Sequence, residues 1–424
     1  MKKRQFNIPG GIHGERAEKL RHAKNLFALG EKALQESSIE EGLIFYQEAF
    51  SISAGVLGID HAEVIRLAEM LGESLSDLER TVEAREFFAR SLATGRYDPE
   101  LPFLAALIDR LGNWFFSKDD LVSARGFFEL ALDGFRHVYG AEDHHVIYGL
   151  QKLIGLLYNL GDLPAARIAL ERVMAIDERV FGKGHPRVAA DLSSLGRMLR
   201  EMGDLPGAAD HYRRAVALHE QSIDPAPLGD HPRLSADFAG LAEVLHEMRD
   251  FAGARAAYER LLVLDEHTYG PEHPKVAATL NGLCAVLRQM NDVPAALETC
   301  LRILAIEERV YGPRNPRLLN TLESVAEMQR AAGDQNAARV TYERALAVAE
   351  TGLGANNLRL GQILVGLSRV LADLGDRNAA YAACERALHI YESTVPPDHP
   401  DLLRTRDALD ELSRPSPSQP EITQ

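Results

Sequence analysis

The sequence predicts an all-α solenoid, a right-handed superhelix of antiparallel helix pairs, and three observations predict it. An Asp beside a helix-breaking turn recurs at Asp120, Asp162, Asp204, Asp250, Asp292, Asp334 and Asp376, at steps of 42, 42, 46, 42, 42 and 42 residues. A second marker keeps the same beat at Asp143, His185, His231, His273, Asn315, Asn357 and His399. Apolar residues fall at helical spacing in two runs per period. A fixed period of tens of residues marks a stack in which each unit packs only on its neighbours. Such a stack makes a long surface rather than a catalytic pocket.

The stretch from Val188 to Gly229 serves as the type unit. Leu192, Leu195, Gly196 and Leu199 form one apolar stripe, and the run Met202-Gly203-Asp204-Leu205-Pro206 ends it. Gly203 takes the left-handed conformation that closes a helix, Asp204 caps the next one, and Pro206 is tolerated in a first turn. The second helix shows a single face through Ala208, Tyr212 and Ala215. Small residues let the two helices approach, and the ring between them fills the gap.

In chain order the small site reads Gly42, Ala84, Ala124, Ala166, Ala208, Ala254, Ala296, Ala338 and Ala380. The bulky site four residues later reads Tyr46, Phe88, Phe128, Leu170, Tyr212, Tyr258, Cys300, Tyr342 and Cys384. These predict nine helix pairs over residues 20–396, after an N-terminal segment, 1–19, that is partly disordered. Leu402, Leu403 and Leu409 predict a capping helix within 397–413, with Arg404, Arg406, Asp407, Asp410 and Glu411 as the polar outer face a terminal unit needs. Residues 414–424 are too rich in Pro and Ser to pack and are expected to be disordered. The longer linker, Gln221 to Gly229, accounts for the single 46-residue step and is expected to form an edge loop.

Lys plus Arg number 47 and Asp plus Glu 62, a net charge of −15. Such a surface repels phosphate backbones and anionic lipid, which argues against nucleic acid or membrane as partner. Cys284, Cys300 and Cys384 fit neither a disulfide framework nor a zinc spacing, and fall on core positions. Asn7, Pro9, Gly10 and Gly11 stand where a secretory signal would place its apolar core, and no run reaches transmembrane length. The chain is expected in the cytoplasm.

Candidate chemistry reduces to structure. The His-Pro pairs at His185, His231, His273 and His399 invite a metal reading, but they fall one per unit and cannot converge on one ion. A His before a first-turn Pro reads as a helix cap. The tandem His144-His145 lies on the same edge. Gly182-Lys183-Gly184 lacks phosphate-loop spacing, and neither His219-Glu220 nor His246-Glu247 has a second His at zincin spacing. No enzyme activity, metal or cofactor is expected.

The unit resembles the tetratricopeptide repeat, on Leu29-Gly30, Leu71-Gly72, Leu111-Gly112 and Leu195-Gly196 with the Ala and aromatic sites that follow. The 42-residue period and linkers such as Gly270 to Pro274 are similar to the variant found in kinesin light chains and many bacterial proteins. The sequence departs from the family in carrying Leu192, Leu280 and Leu322 where its first helix opens on Trp, and in having no heptad coiled coil, so motor attachment is not carried over. The resemblance implies a concave groove lined by the first helix of each pair. Carried over by register, its positions are Asn113, Phe116, Tyr148, Gln151, Tyr158, Arg197, Arg200, His246, Asn281, Arg288, Gln289, Asn320, Arg330 and Arg369.

The arginines are suited to capturing carboxylates, and the amides to bonding an extended peptide. The competing reading is that nearby glutamates such as Glu243, Glu247 and Glu327 neutralise these cations. A receptor for chaperone tails is disfavoured, because Asp109 stands where that clamp needs Lys. The expected function is a non-catalytic scaffold or adaptor that binds a protein or peptide bearing acidic and aromatic residues. The alternative is a regulatory sensor subunit controlling a separate effector enzyme, and the exposed ends leave room for self-association. Trp114 falls off the main apolar stripe and is a candidate partner anchor.

Overall fold

The computed structural model describes residues 8–36, 38–94, 101–222, 232–354 and 357–414. His231, most of the long linker (223–229) and the tail from 415 lie outside the described residues. Among the described residues there are nineteen α-helices and no strand. The chain divides into two compact units, Met1–Met202 and Gly203–Gln424.

The first unit holds α1 (Glu15–Gln35), α2 (Ile39–Leu57), α3 (Ala62–Asp77), α4 (Thr81–Thr94), α5 (Leu101–Ser117), α6 (Leu121–Tyr139), α7 (His144–Asn159), α8 (Leu163–Phe181) and α9 (Pro186–Glu201). Helix α1 thus opens inside the segment set apart from the repeats. The second unit holds α10 (Leu205–Ser222), α11 (Pro232–Glu247), α12 (Phe251–Tyr269), α13 (Pro274–Gln289), α14 (Val293–Tyr311), α15 (Leu319–Ala331), α16 (Gln335–Leu353), α17 (Leu358–Asp373), α18 (Arg377–Thr394) and α19 (Pro400–Ser413). A 3₁₀ turn, Pro316–Leu318, leads into α15.

Both sequence markers are helix caps. Each of the seven aspartates accepts a hydrogen bond from the backbone N–H three residues on, as in Asp120 from Ser123 at 3.0 Å and Asp334 from Ala337 at 3.0 Å. The residue before each cap is left-handed: Asp119, Gly161, Gly203, Arg249, Asn291, Gly333 and Gly375, with φ between 57° and 85°. The second marker caps the other set of helices two residues ahead. His185, His273 and His399 accept through Nδ1 at 3.1–3.2 Å, and Asp143, Asn315 and Asn357 through a side-chain oxygen at 2.9–3.0 Å. A ring nitrogen that accepts an N–H has its lone pair committed, which removes these histidines as metal ligands through Nδ1.

The core follows the small-and-bulky register. A Cβ on Gly30 would meet the Tyr46 ring at 2.8 Å, and one on Gly112 the Phe128 ring at 2.6 Å, so glycine sets how closely these two pairs approach. Where the ring is lost the partner changes with it: Cys284 stands for the glycine and Cys300 for the aromatic, with their sulfurs in contact and both buried. Contact with Cys284 and burial push the Cys300 thiol up. A polar register also lies between a second helix and the next first helix at three junctions of the second unit. Thr279 donates to Asp265 and Thr321 to Glu307, both at 2.6 Å, and buried His219 donates through Nδ1 to Asp237 at 2.6 Å. In the first unit the same two positions are Asp177 on α8 and Asp191 on α9.

Candidate functional site

A cavity of about 650 Å³ lies in the first unit, built around α7. Helix α5 contributes Asn113 and Phe116, α6 Phe128, and α7 the residues Gln151, Lys152, Ile154, Gly155, Leu156, Tyr158 and Asn159. Leu170 and Val173 of α8 and Asp191, Ser194, Arg197 and Met198 of α9 complete the wall. The floor is apolar because these helices turn their core stripes inward. The polar groups lie on the first helices of successive pairs, α5, α7 and α9.

Five of the groove residues expected from the sequence therefore meet here: Asn113, Phe116, Gln151, Tyr158 and Arg197. Phe116 is 39% exposed and Tyr158 36%, so both present apolar area that no neighbour covers. Arg197 is exposed and has no carboxylate within ion-pair distance among the described residues. Lys152, by contrast, is committed. Its Nζ lies 2.7 Å from both oxygens of Asp109, and Asn113 donates to the Asp109 carbonyl and carboxylate. Asp109, where the chaperone-tail clamp would need Lys, is thus a buried acceptor.

Asp191 was not anticipated. Burial, and then the adjacent Asp177 through charge and a hydrogen bond, push its carboxyl up to about 7, against the pull of Arg187. Oxygens Oδ2 of Asp191 and Oδ1 of Asp177 are buried without a hydrogen-bond partner among the described residues. Two carboxyls packed together favour a shared proton, since both cannot be charged cheaply in a desolvated site.

The remaining candidates do not gather into one site. Tyr148 is exposed on α7, with the Lys152 ammonium 4.3 Å from its ring centroid, but does not line the cavity, and neither does half-buried Arg200. In the second unit Arg330 lies between Glu327 (3.5 Å) and Asp373 (3.3 Å), so it is neutralised internally rather than presented to a partner. Asn320 accepts from Arg359, Asn281 donates to the Ala277 carbonyl of its own helix, and His246 packs against Phe251. Arg288, Gln289 and Arg369 are exposed, and neither arginine has an ion pair among the described residues.

Trp114 proves structural. A Cβ on Gly72 would meet its ring at 2.7 Å, and it packs edge-on to Phe115 at 4.9 Å. Asp143, His144 and His145 offer three ligand atoms within 4.8 Å of one another. The Asp143 Oδ1 that would bind an ion already caps α7 and touches both rings, at 3.1 and 2.7 Å.

Capped helix pairs repeating at a 42-residue beat define a helical-repeat protein. Family models described as tetratricopeptide repeat match residues 147–221, 234–292, 275–351 and 361–401. The chain belongs to the tetratricopeptide repeat family. Similar solved structures include nearly identical TPR-like repeats of a Podosopora anserina protein assigned as a kinesin light chain (20% identity, 50% of this chain and 98% of that one, TM-score 0.43). BtubC (BKLC) from P. vanneervenii is also similar (20%, 59% and 94%, 0.42). A Pyrococcus horikoshii signal-transduction ATPase with a tetratricopeptide repeat sensor is similar at 13% identity over 95% of this chain and 55% of that one (TM-score 0.47). No curated protein sequence gives a significant match. Tetratricopeptide repeats generally bind proteins or peptides without catalysis. No helix among the described residues is long and apolar enough to cross a membrane.

Proposed function

We propose that this protein is a non-catalytic, cytoplasmic scaffold that holds a peptide segment of a partner protein in the cavity around α7. The observation that supports it is the combination of exposed Phe116 and Tyr158 with an exposed, unpaired Arg197 around one apolar depression. Ligand sites are concave and mostly apolar, with a few polar groups that orient the ligand. Aromatic and Arg side chains supply most hot-spot energy at interfaces. Arg197 selects a carboxylate beside the apolar anchor, so the favoured segment carries Asp or Glu next to an aromatic residue. The acidic net charge disfavours nucleic acid and anionic lipid as alternatives.

A display library of randomised peptides selected on the full chain tests this. Enriched peptides are expected to lose affinity about tenfold or more with Arg197→Glu or Tyr158→Ala. Peptides that bind both variants as well as the wild type would move the site away from this cavity.

A further inference from the structure

The cavity has an internal template. In the pairs α1/α2 and α15/α16 the bulky-site tyrosine reaches back fifteen residues to a glutamate. Tyr46 donates its hydroxyl to Glu31, and Tyr342 donates to Glu327 at 2.7 Å. The same step back from Leu170 on α8 arrives at Gly155 on α7. Both members of the phenol–carboxylate pair are therefore missing from α7/α8, replaced by an isobutyl group and a hydrogen.

The two replacements line the cavity. Gly155 does not serve helix packing: an ideal Cβ there has nothing within 4 Å, whereas Gly30 and Gly112 each lie against a ring. A mid-helix glycine weakens a helix, and here no packing contact repays it. The far wall follows the same logic. Tyr258 and Tyr342 extend their rings to Gly282 and Gly366, twenty-four residues on, and that step from Leu170 reaches Ser194, which also lines the cavity.

We infer that this cavity is a vacated tyrosine slot, and that the bound segment fills it with a tyrosine side chain whose hydroxyl donates to Asp191. At the Tyr46 and Tyr342 slots the phenol hydroxyl ends on a carboxylate. At this one Asp191 lines the wall with Oδ2 buried and without a donor among the described residues. A buried acceptor left unpaired is costly, so a ligand that supplies a donor there is favoured over an isostere that lacks it. The inference rests on the peptide-scaffold reading and adds the residue the pocket selects.

The test rebuilds the missing pair with Leu170→Tyr/Gly155→Glu in the full chain. Peptides from the randomised library that bind the wild type are expected to be enriched in tyrosine and to lose about tenfold or more in affinity for the double variant. Replacing that tyrosine by Phe in the peptide, or Asp191 by Leu in the protein, which removes the acceptor, is expected to weaken binding several-fold, to about the same extent. Should the double variant unfold, Gly155→Met alone must give the same loss, because its side chain enters the cavity from an open position. Binders with no aromatic preference, or ones the rebuilt pair leaves untouched, overturn the tyrosine slot while the scaffold stands. If no peptide binds the wild type, both fall.

Discussion

Replacing Asp191 by Asn should make the protein more stable at neutral pH and leave it unchanged near pH 4. The carboxyl sits at about 7 in the folded chain against 3.8 for an unperturbed Asp. Between those values the unfolded chain has released its proton and the folded chain has not, so unfolding releases one. The stabilising contribution of the protonated pair is then complete below about pH 4 and fades as pH rises through 7. A shift of about three units corresponds to a ceiling of about 4 kcal/mol. Asp191 is only half-buried, so solvent screening reduces this to about 1–2 kcal/mol. An amide can donate to Asp177 as the protonated acid does, and it does so at every pH.

Burial, against Arg359 and with Glu327, pushes Glu323 on α15 up to about 7 as well. The decisive quantity is therefore the difference between Asp191→Asn and wild type, not either profile alone. Repeat arrays need not unfold in one step. Hydrogen exchange of α8 and α9, measured from pH 4 to 8 and corrected for intrinsic rates, reports the local stability. A difference that does not grow with pH, or that favours the wild type at pH 8, refutes the shared-proton account.

Three further outcomes follow from the fold. Arg249 is left-handed at φ 62° where Gly161, Gly203, Gly333 and Gly375 stand in other pairs, so Arg249→Gly should stabilise the second unit by about 1 kcal/mol, read as a higher urea midpoint. Asp292 caps α14 and also pairs with Arg255 at 3.1 Å, so Asp292→Ala should cost about 1–2 kcal/mol, with the loss in exchange protection concentrated in α14. Trp114 is the single tryptophan and rests on Gly72, so Gly72→Leu should push it out and shift its emission to the red. Unchanged emission would mean that α3 and α5 separate without moving the ring.

The helix boundaries were legible because they rest on side chains acting within three residues of themselves. Asp before a helix, His or Asn before Pro, and Gly203 before Asp204 each declare a local hydrogen bond or backbone conformation, and the period repeats the message. Side-chain partners one period away were harder to see. Arg330 reads as a free groove cation until Asp373, forty-three residues on, is placed beside it. Trp114 reads as a spare aromatic because its seat, Gly72, belongs to the preceding pair. The groove positions that the family resemblance implies, carried over by register, selected Asn113, Phe116, Gln151, Tyr158 and Arg197, since the first helix of each pair shows the same face every period. It could not select Asp191, whose character comes from burial and then from Asp177 across the junction between pairs.

The cavity itself is a negative feature, and that is why apolar periodicity passes over it. Leu170 satisfies the bulky-site pattern as hydrophobic, and Gly155 looks like one more helix glycine. Only the comparison of each pair with its siblings shows that a ring and its carboxylate have gone together. Units that keep the pair consume their polar groups internally, as Tyr342 and Glu327 do at 2.7 Å. At α7/α8 its loss leaves apolar floor, an undonated acceptor and open space in one place. In a structure whose stability is distributed over near-identical units, one unit can give up an internal contact while its neighbours hold the stack. Binding capacity is expected where the repeat departs from itself, and in the first unit that place is α7.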